Sequence, residues 1–263
     1  MLPDVLLPKA WLALVLPVLV LLAAAELGFR LGLRTHSARD EQSKATVGGV
    51  QGAILGLLGL LLGFTFALST ARFEARRLLV VKEANSIGTT YLRASLLPEA
   101  HVAPVQDLLR EYVRLRVEYY PKLADRAALP GLLERSAEIQ RRLWQHAVEA
   151  SRAAPTPITA TFVSTLNETI DTEAERVAGA AAQIPFSVWL LLLVVASVGC
   201  FTTSYQAGTE GSRSIFSSVE LPMIIAFVLA LILDIANPNR GFIGISQQPL
   251  IDLQTSIAAP PGG

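Results

Sequence analysis

Residues 47–98 read VGGVQGAILGLLGLLLGFTFALSTARFEARRLLVVKEANSIGTTYLRASLLP, and the reading of this stretch decides the fold. From Val47 to Ala71 it carries no ionisable side chain, enough for the roughly 20 apolar residues that a helix needs to cross a bilayer. At Arg72 the character turns charged, yet nothing breaks the helix, because Arg, Glu, Ala, Leu and Lys are all strong helix formers. The pattern predicts one rod that passes out of the membrane near Arg72 and ends at Leu97-Pro98, where proline forces its predecessor out of the helical region.

The rest of the chain has the composition such a rod requires. Only 17% of its 263 residues are charged, against roughly a quarter in a soluble domain. Uncharged runs also occupy Ala10–Ala25, Val177–Thr209 and Leu221–Leu233. The expected fold is an all-α membrane protein with four transmembrane helices, at about 11–33, 47–71, 186–205 and 221–235. Lys9 followed by an apolar run to Leu22 and Ala23-Ala24-Ala25 also fits a secretory leader. Asp4 and the prolines at 3, 8 and 17 favour an uncleaved first span instead.

Between the second and third spans lies a helical extramembrane domain, 72–183. Val105, Leu108, Leu109, Tyr112, Val113 and Leu115 share one face of a helix that Pro121 stops. Leu132, Leu133, Ile139, Leu143 and Val148 repeat the pattern within Leu129–Ala153, and a third helix covers Thr161–Ala182 after Pro155 and Pro157. The domains thus read as a first transmembrane pair (1–71), the helical domain (72–183), a second pair (184–242) and a short tail (243–263) that ends disordered. Gln206–Glu220 reads as a polar loop between the last two spans, and Asn237-Pro238-Asn239-Arg240-Gly241 as a turn.

Several function classes fall away. A net charge of zero implies no nucleic-acid partner. Cys200 is the single cysteine, so neither a disulfide framework nor a cysteine metal site forms within one chain. His36, His101 and His146 stand far apart with no metal-ligand spacing, and no cofactor is expected. No nucleophile with its base, phosphate loop or pair of catalytic carboxylates is recognisable, so the chain is not read as an enzyme. Asn167-Glu168-Thr169 matches a glycosylation acceptor, a tripeptide too common to weigh.

The second span is the informative one. Gly48, Gly52 and Gly56 are spaced by four, as are Gly59 and Gly63. Glycine costs about 1 kcal/mol relative to alanine in a helix, but it lets membrane helices approach backbone to backbone. Two readings stay open: packing against the chain's own spans, or a ring of identical helices around a symmetry axis. Gly56, Leu60, Phe64, Ala67 and Ala71 lie on one line, and apolar rings of this kind gate pores by dewetting. They equally suit lipid-facing or core positions. Arg72, Arg76 and Arg77 at the membrane edge could raise local anion concentration at a pore mouth or anchor the helix to headgroups. Glu26 is read as an interfacial partner of Arg30, and Asp234 as a partner of Arg240 or a cap on the turn.

These residues carry a resemblance. Leu62-Gly63-Phe64 followed by Ala71-Arg72-Phe73 resembles the pore helix of bestrophin anion channels. The stretches Gly63–Leu68, Arg72–Arg77, Glu83–Thr89, Leu109–Tyr112, Leu166–Asp171, Asp234–Pro238 and Ser246–Leu250 together resemble a bacterial family called bestrophin-like, over most of the chain. The resemblance implies four spans, a cytosolic helical domain after the second, and a homo-pentamer around the second helix in the bacterial inner membrane. It puts Leu60 and Phe64 on a hydrophobic neck and Arg72, Arg76 and Arg77 at its inner mouth. Gly56 falls where bestrophins often carry a larger apolar residue. No acidic cluster matches their calcium clasp, and the cytosolic region that follows their fourth span is missing or reduced.

The expectation is a bestrophin-like oligomeric channel for inorganic anions, embedded in a lipid bilayer. The alternative is a non-conducting membrane scaffold or sensor whose helical domain binds a partner. A secondary transporter fits less well, lacking broken helices and midplane polar residues. The balance of Lys and Arg near span ends (Lys9, Arg72, Arg76, Arg77, Lys82, Arg176 and Arg240 against Arg30, Arg34, Arg39, Lys44 and Arg213) favours a cytoplasmic helical domain.

Overall fold

The structure, a computed structural model, describes residues 10–35, 41–120, 122, 129–181, 184–213, 215–238 and 243–258. Lys9, His36, Arg39, Pro121, Asn239, Arg240, Gly241 and 259–263 lie outside them. Among the described residues the regular structure is entirely helical: α1 (Ala10–Arg34), α2 (Glu41–Ala94), α3 (Glu99–Tyr119), α4 (Leu129–Ala153), α5 (Pro157–Ala181), α6 (Phe186–Thr209), a π-helical turn (Phe216–Glu220), α7 (Leu221–Ala236) and α8 (Gln248–Ala258). Four helical stretches are long and apolar enough to cross a membrane: Val15–Arg34, Gly48–Ala94, one within Pro157–Thr209, and Phe216–Ala236.

The helix ends follow local chemistry. The 54-residue α2 closes on tightened i→i−3 bonds, Leu96 N–H to Arg93 O at 3.0 Å and Leu97 N–H to Ala94 O at 3.2 Å, before Pro98 takes an extended φ/ψ of −51° and 138°. Ahead of α5, Thr156 and Thr159 cap each other: Thr159 N–H donates to Thr156 Oγ1 at 3.3 Å and Thr156 N–H to Thr159 Oγ1 at 3.1 Å. Pro157 follows at the first helical position, where its missing N–H costs nothing. The stretch read as a polar loop is shorter than expected. α6 runs on to Thr209, Gly211 turns the chain at φ 73°, and Phe216–Glu220 is already helical, with Ser204 Oγ donating to Ser217 O at 2.8 Å.

The chain divides into two compact units. The first, Met1–Arg72 with Gln183–Ile243, is built around α1, the apolar part of α2, α6 and α7. Its core holds Leu21, Ala25, Leu58, Leu192, Ala196, Cys200, Ile225, Ala226 and Leu229. α1 and α6 touch backbone to backbone. A Cβ built on Gly28 would lie 2.2 Å from Phe201 O, on Gly32 2.2 Å from Tyr205 O, and on Gly208 2.4 Å from Phe29 O. No side chain fits at these three positions, so the Gly-x-x-x-Gly pair of this chain's internal packing is 28/32 on the first helix.

The second unit, Phe73–Ala182 with Gly244–Gly263, packs the charged part of α2 with α3, α4, α5 and α8. Ile87, Leu109, Tyr112, Val113, Leu143, Phe162, Leu166 and Leu250 are fully or almost fully enclosed in its core. The residues read as a tail therefore supply a packed helix. Leu250 and Ile257 of α8 are buried, Ile245 N–H donates to Tyr120 Oη at 2.8 Å, and Arg110 Nε donates to Ile257 O at 2.9 Å near the helix's C-terminal carbonyls. An 11-residue amphipathic helix has too few turns to stand out in sequence, and it is stable only because it covers this core.

Candidate functional site

At 3.6 residues per turn the apolar part of α2 has two faces, and the chain treats them differently. Ile54, Leu55, Leu58, Leu61 and Leu62 turn inward, joined by Thr65 and Ser69, whose hydroxyls donate to Leu61 O at 2.7 Å and Thr65 O at 2.8 Å. Gly199 of α6 sits against this face, with Leu55 Cδ2 3.1 Å from where its Cβ would be. The opposite face is open. A Cβ on Gly52, Gly56, Gly59 or Gly63 would meet nothing within 4 Å, and one on Gly48 would reach only the Gln206 side chain, 3.9 Å away. Along the same line Leu60 is 55% and Phe64 66% exposed, and Leu57 and Ala67 are exposed beside them.

This bears on the two readings left open for the second-span glycines. Among the described residues Gly52, Gly56, Gly59 and Gly63 face open space and Gly48 meets only the Gln206 side chain, whereas Gly28, Gly32, Gly199 and Gly208 make the close contacts within the chain. It also removes the core reading of Leu60 and Phe64.

The three arginines do not form one patch. Arg72 is half-buried on the inward side, its Nη1 enclosed without a hydrogen-bond partner among the described residues. Arg76 is half-buried and donates from Nε to Gly179 O at 3.0 Å, in the last turn of α5. Arg77 alone lies on the open side, paired with Glu74 at 3.1 Å. The i, i+4 spacing that linked Arg72 to Arg76 put both on the packed face, so helical geometry takes them off the glycine line. Glu26 contacts Arg30 at 2.7 Å, as read, and Arg213 at 2.5 Å. Asp234 accepts from Ile243 N–H at 2.9 Å and so caps the turn; the suggested partner Arg240 lies outside the described residues.

The second unit holds a site that sequence reading missed. Glu83, Arg116, Glu173 and Arg176 are all buried and form one neutral network. Arg116 donates from Nε to Glu83 Oε1 at 2.6 Å and from Nη1 to Glu173 Oε1 at 2.8 Å, and its guanidinium carbon lies 4.6 Å from the Tyr119 ring centroid. Arg176 bonds the second oxygen of Glu83 and also Gln247, which brings the segment before α8 into the cluster. Glu173 further accepts from Tyr112 Oη at 2.6 Å, from Ser136 Oγ at 2.7 Å and from Gln140. Burial, aided by the Glu173 charge, holds the Tyr112 hydroxyl well above its ordinary pKa, so it stays a donor. Burial alone would lower Arg116, but Glu83 and Glu173 outweigh it and raise its pKa. No spacing in sequence announces four charges from α2, α3 and α5. Their only signal is a charged residue at each helix's inward position, such as Arg116 beside the Tyr112–Leu115 stripe. The same unit brings together His101 and His146, which their distance in sequence had separated, with Nδ1 atoms 3.1 Å apart.

A bestrophin-like domain model matches residues 17–250. Solved structures of bacterial bestrophin homologues from Klebsiella pneumoniae are similar throughout. One mutant form has 16% identity and a TM-score of 0.63, covering 95% of this chain and 97% of the other. A second mutant form has 14% identity and a TM-score of 0.62, with 90% and 97% coverage. A third structure has 16% identity and a TM-score of 0.61, with 95% and 96% coverage. No curated protein matches the chain. At these identities the likeness establishes the fold, and the domain match establishes kinship. With its apolar helices, its all-α architecture and a domain model spanning nearly its whole length, the chain belongs to the bestrophin-like family.

Proposed function

We propose that this chain is one subunit of a ring-shaped channel in the bacterial inner membrane, conducting inorganic anions along an axis lined by α2. The observation that carries the reading is the open face of that helix. Among the described residues Gly52, Gly56, Gly59 and Gly63 have no neighbour within 4 Å of a Cβ position, although each costs helix stability, and large apolar side chains stand exposed between them. A second copy packed on this face would use the glycines for close approach, and Leu60 and Phe64 would then narrow the axis into a dewetting neck. Five subunits and the preference for anions come from the resemblance to bestrophins. Of the three arginines only Arg77 shares the open side, so it is the one assigned to the pore mouth. The helix itself supports a domain outside the bilayer: 54 residues rise about 80 Å at 1.5 Å each, against a hydrocarbon core of roughly 30 Å. We place residues 72–183 on the cytoplasmic side.

Electron microscopy of the detergent-solubilised protein should resolve a pentamer with α2 at the axis. In liposomes Phe64→Ala should raise chloride flux severalfold or abolish its regulation, because the narrowest apolar ring would be lost. A monomer or dimer with the glycine face against detergent, and no flux from either protein, would favour the non-conducting scaffold instead.

A further inference from the structure

We infer that His101, His146 and Glu149 form a binding site for a divalent transition-metal ion, zinc being the best match, that clamps the start of α3 to the later part of α4. One donor atom from each of the three residues lies within 4.8 Å of those of the other two. The two Nδ1 atoms are 3.1 Å apart, and the rings meet at 73° with centroids separated by 5.4 Å. Two nitrogens bound tetrahedrally to one zinc ion at about 2.05 Å stand about 3.3 Å apart, so the spacing of the two Nδ1 atoms matches that of ligands sharing one ion.

Helix geometry supplies the third ligand. Glu149 follows His146 by three residues on α4, which places both on one face toward α3. His101 sits in the first turn of α3, where the chain has just left Pro98. Two imidazoles with one carboxylate suit zinc, copper or nickel and disfavour magnesium and calcium, which prefer oxygen ligands alone. Burial, followed by the proximity of His101, lowers the His146 pKa from that of a free imidazole. Glu149 opposes this shift and Arg142 adds to it. Three protein ligands leave a fourth position for water. The two Nδ1 atoms lie within hydrogen-bond distance, the tautomer deciding which one donates. The clamp ties residues 45 apart in sequence and would stabilise the α3–α4 hairpin independently of any conduction.

Full-length, tag-free protein in detergent, incubated with zinc sulfate and desalted, should retain one zinc per chain, and zinc should raise its Tm. His101→Gln, His146→Gln and the double variant should retain none and show no rise, while keeping the wild-type helical circular dichroism. His36→Gln, which alters the remaining histidine, should behave as wild type. Cobalt should give the intense visible bands of tetrahedral coordination in the wild type and lose them in His146→Gln. Equal zinc on the wild type and the double variant, or zinc on neither, would overturn the site. None of these readouts depends on ion flux, so the clamp and the channel stand or fall separately.

Discussion

Arg116→Met should destabilise the helical unit by about 3–5 kcal/mol, the cost of removing one partner from a buried charge network. The side chain is 1% exposed and bonds both Glu83 and Glu173. Methionine fills much of its volume but leaves two carboxylates facing a single arginine, Arg176. Glu83 keeps that partner; Glu173 is left with the hydroxyls of Tyr112 and Ser136 and the amide of Gln140. Urea unfolding followed by helical circular dichroism reads the loss. Adding Glu173→Gln to Arg116→Met should recover part of the loss, because the uncompensated charge is gone. A single variant as stable as the wild type would mean that water or side-chain relaxation replaces the guanidinium.

The second large effect lies in the membrane unit and separates two kinds of glycine. Gly28→Val or Gly208→Val should abolish recovery of folded protein, because the new Cβ meets backbone oxygen at 2.2 Å or 2.4 Å rather than a movable side chain. Ordinary overpacking costs about 1–3 kcal/mol, and here two helix backbones must separate. Gly56→Val should leave the fold of the single chain intact, since nothing lies within 4 Å of its Cβ. Its effect should appear in assembly, as a shift from ring to smaller species on size-exclusion chromatography with light scattering. If Gly28→Val folds normally, α1 and α6 do not need the close approach. If Gly56→Val leaves the ring unchanged, the open face of α2 is not the subunit contact.

The spans were legible because hydrocarbon imposes a one-dimensional rule. Every residue over some 20 positions must be apolar and every backbone bond internal, so Ala45–Ala71 or Leu221–Leu233 declares itself without reference to any partner. The continuity of α2 was legible for a similar reason, since the residues from Arg72 to Ala94 include no strong breaker apart from Gly88, and that glycine lies against Leu253 of α8. The family resemblance rested on the same linear runs.

What needed the tertiary structure were the questions of which side faces what. Gly28 and Gly52 are the same residue type at the same four-residue spacing, and only the position of α6 makes one a close contact and leaves the other open. Arg72, Arg76 and Arg77 read alike as a cluster, yet the helical turn sends the first two inward and the third outward. Glu83, Arg116, Glu173 and Arg176 meet from three helices, and His101 finds His146 across a hairpin. Sequence by itself determined where the long helices lie, though not α8 or the turn at Phe216–Glu220, because membrane solvation and backbone propensity act residue by residue along the chain. The structure decided which charges are buried together and which face of α2 stays open, because those depend on distances between residues that the chain order does not encode.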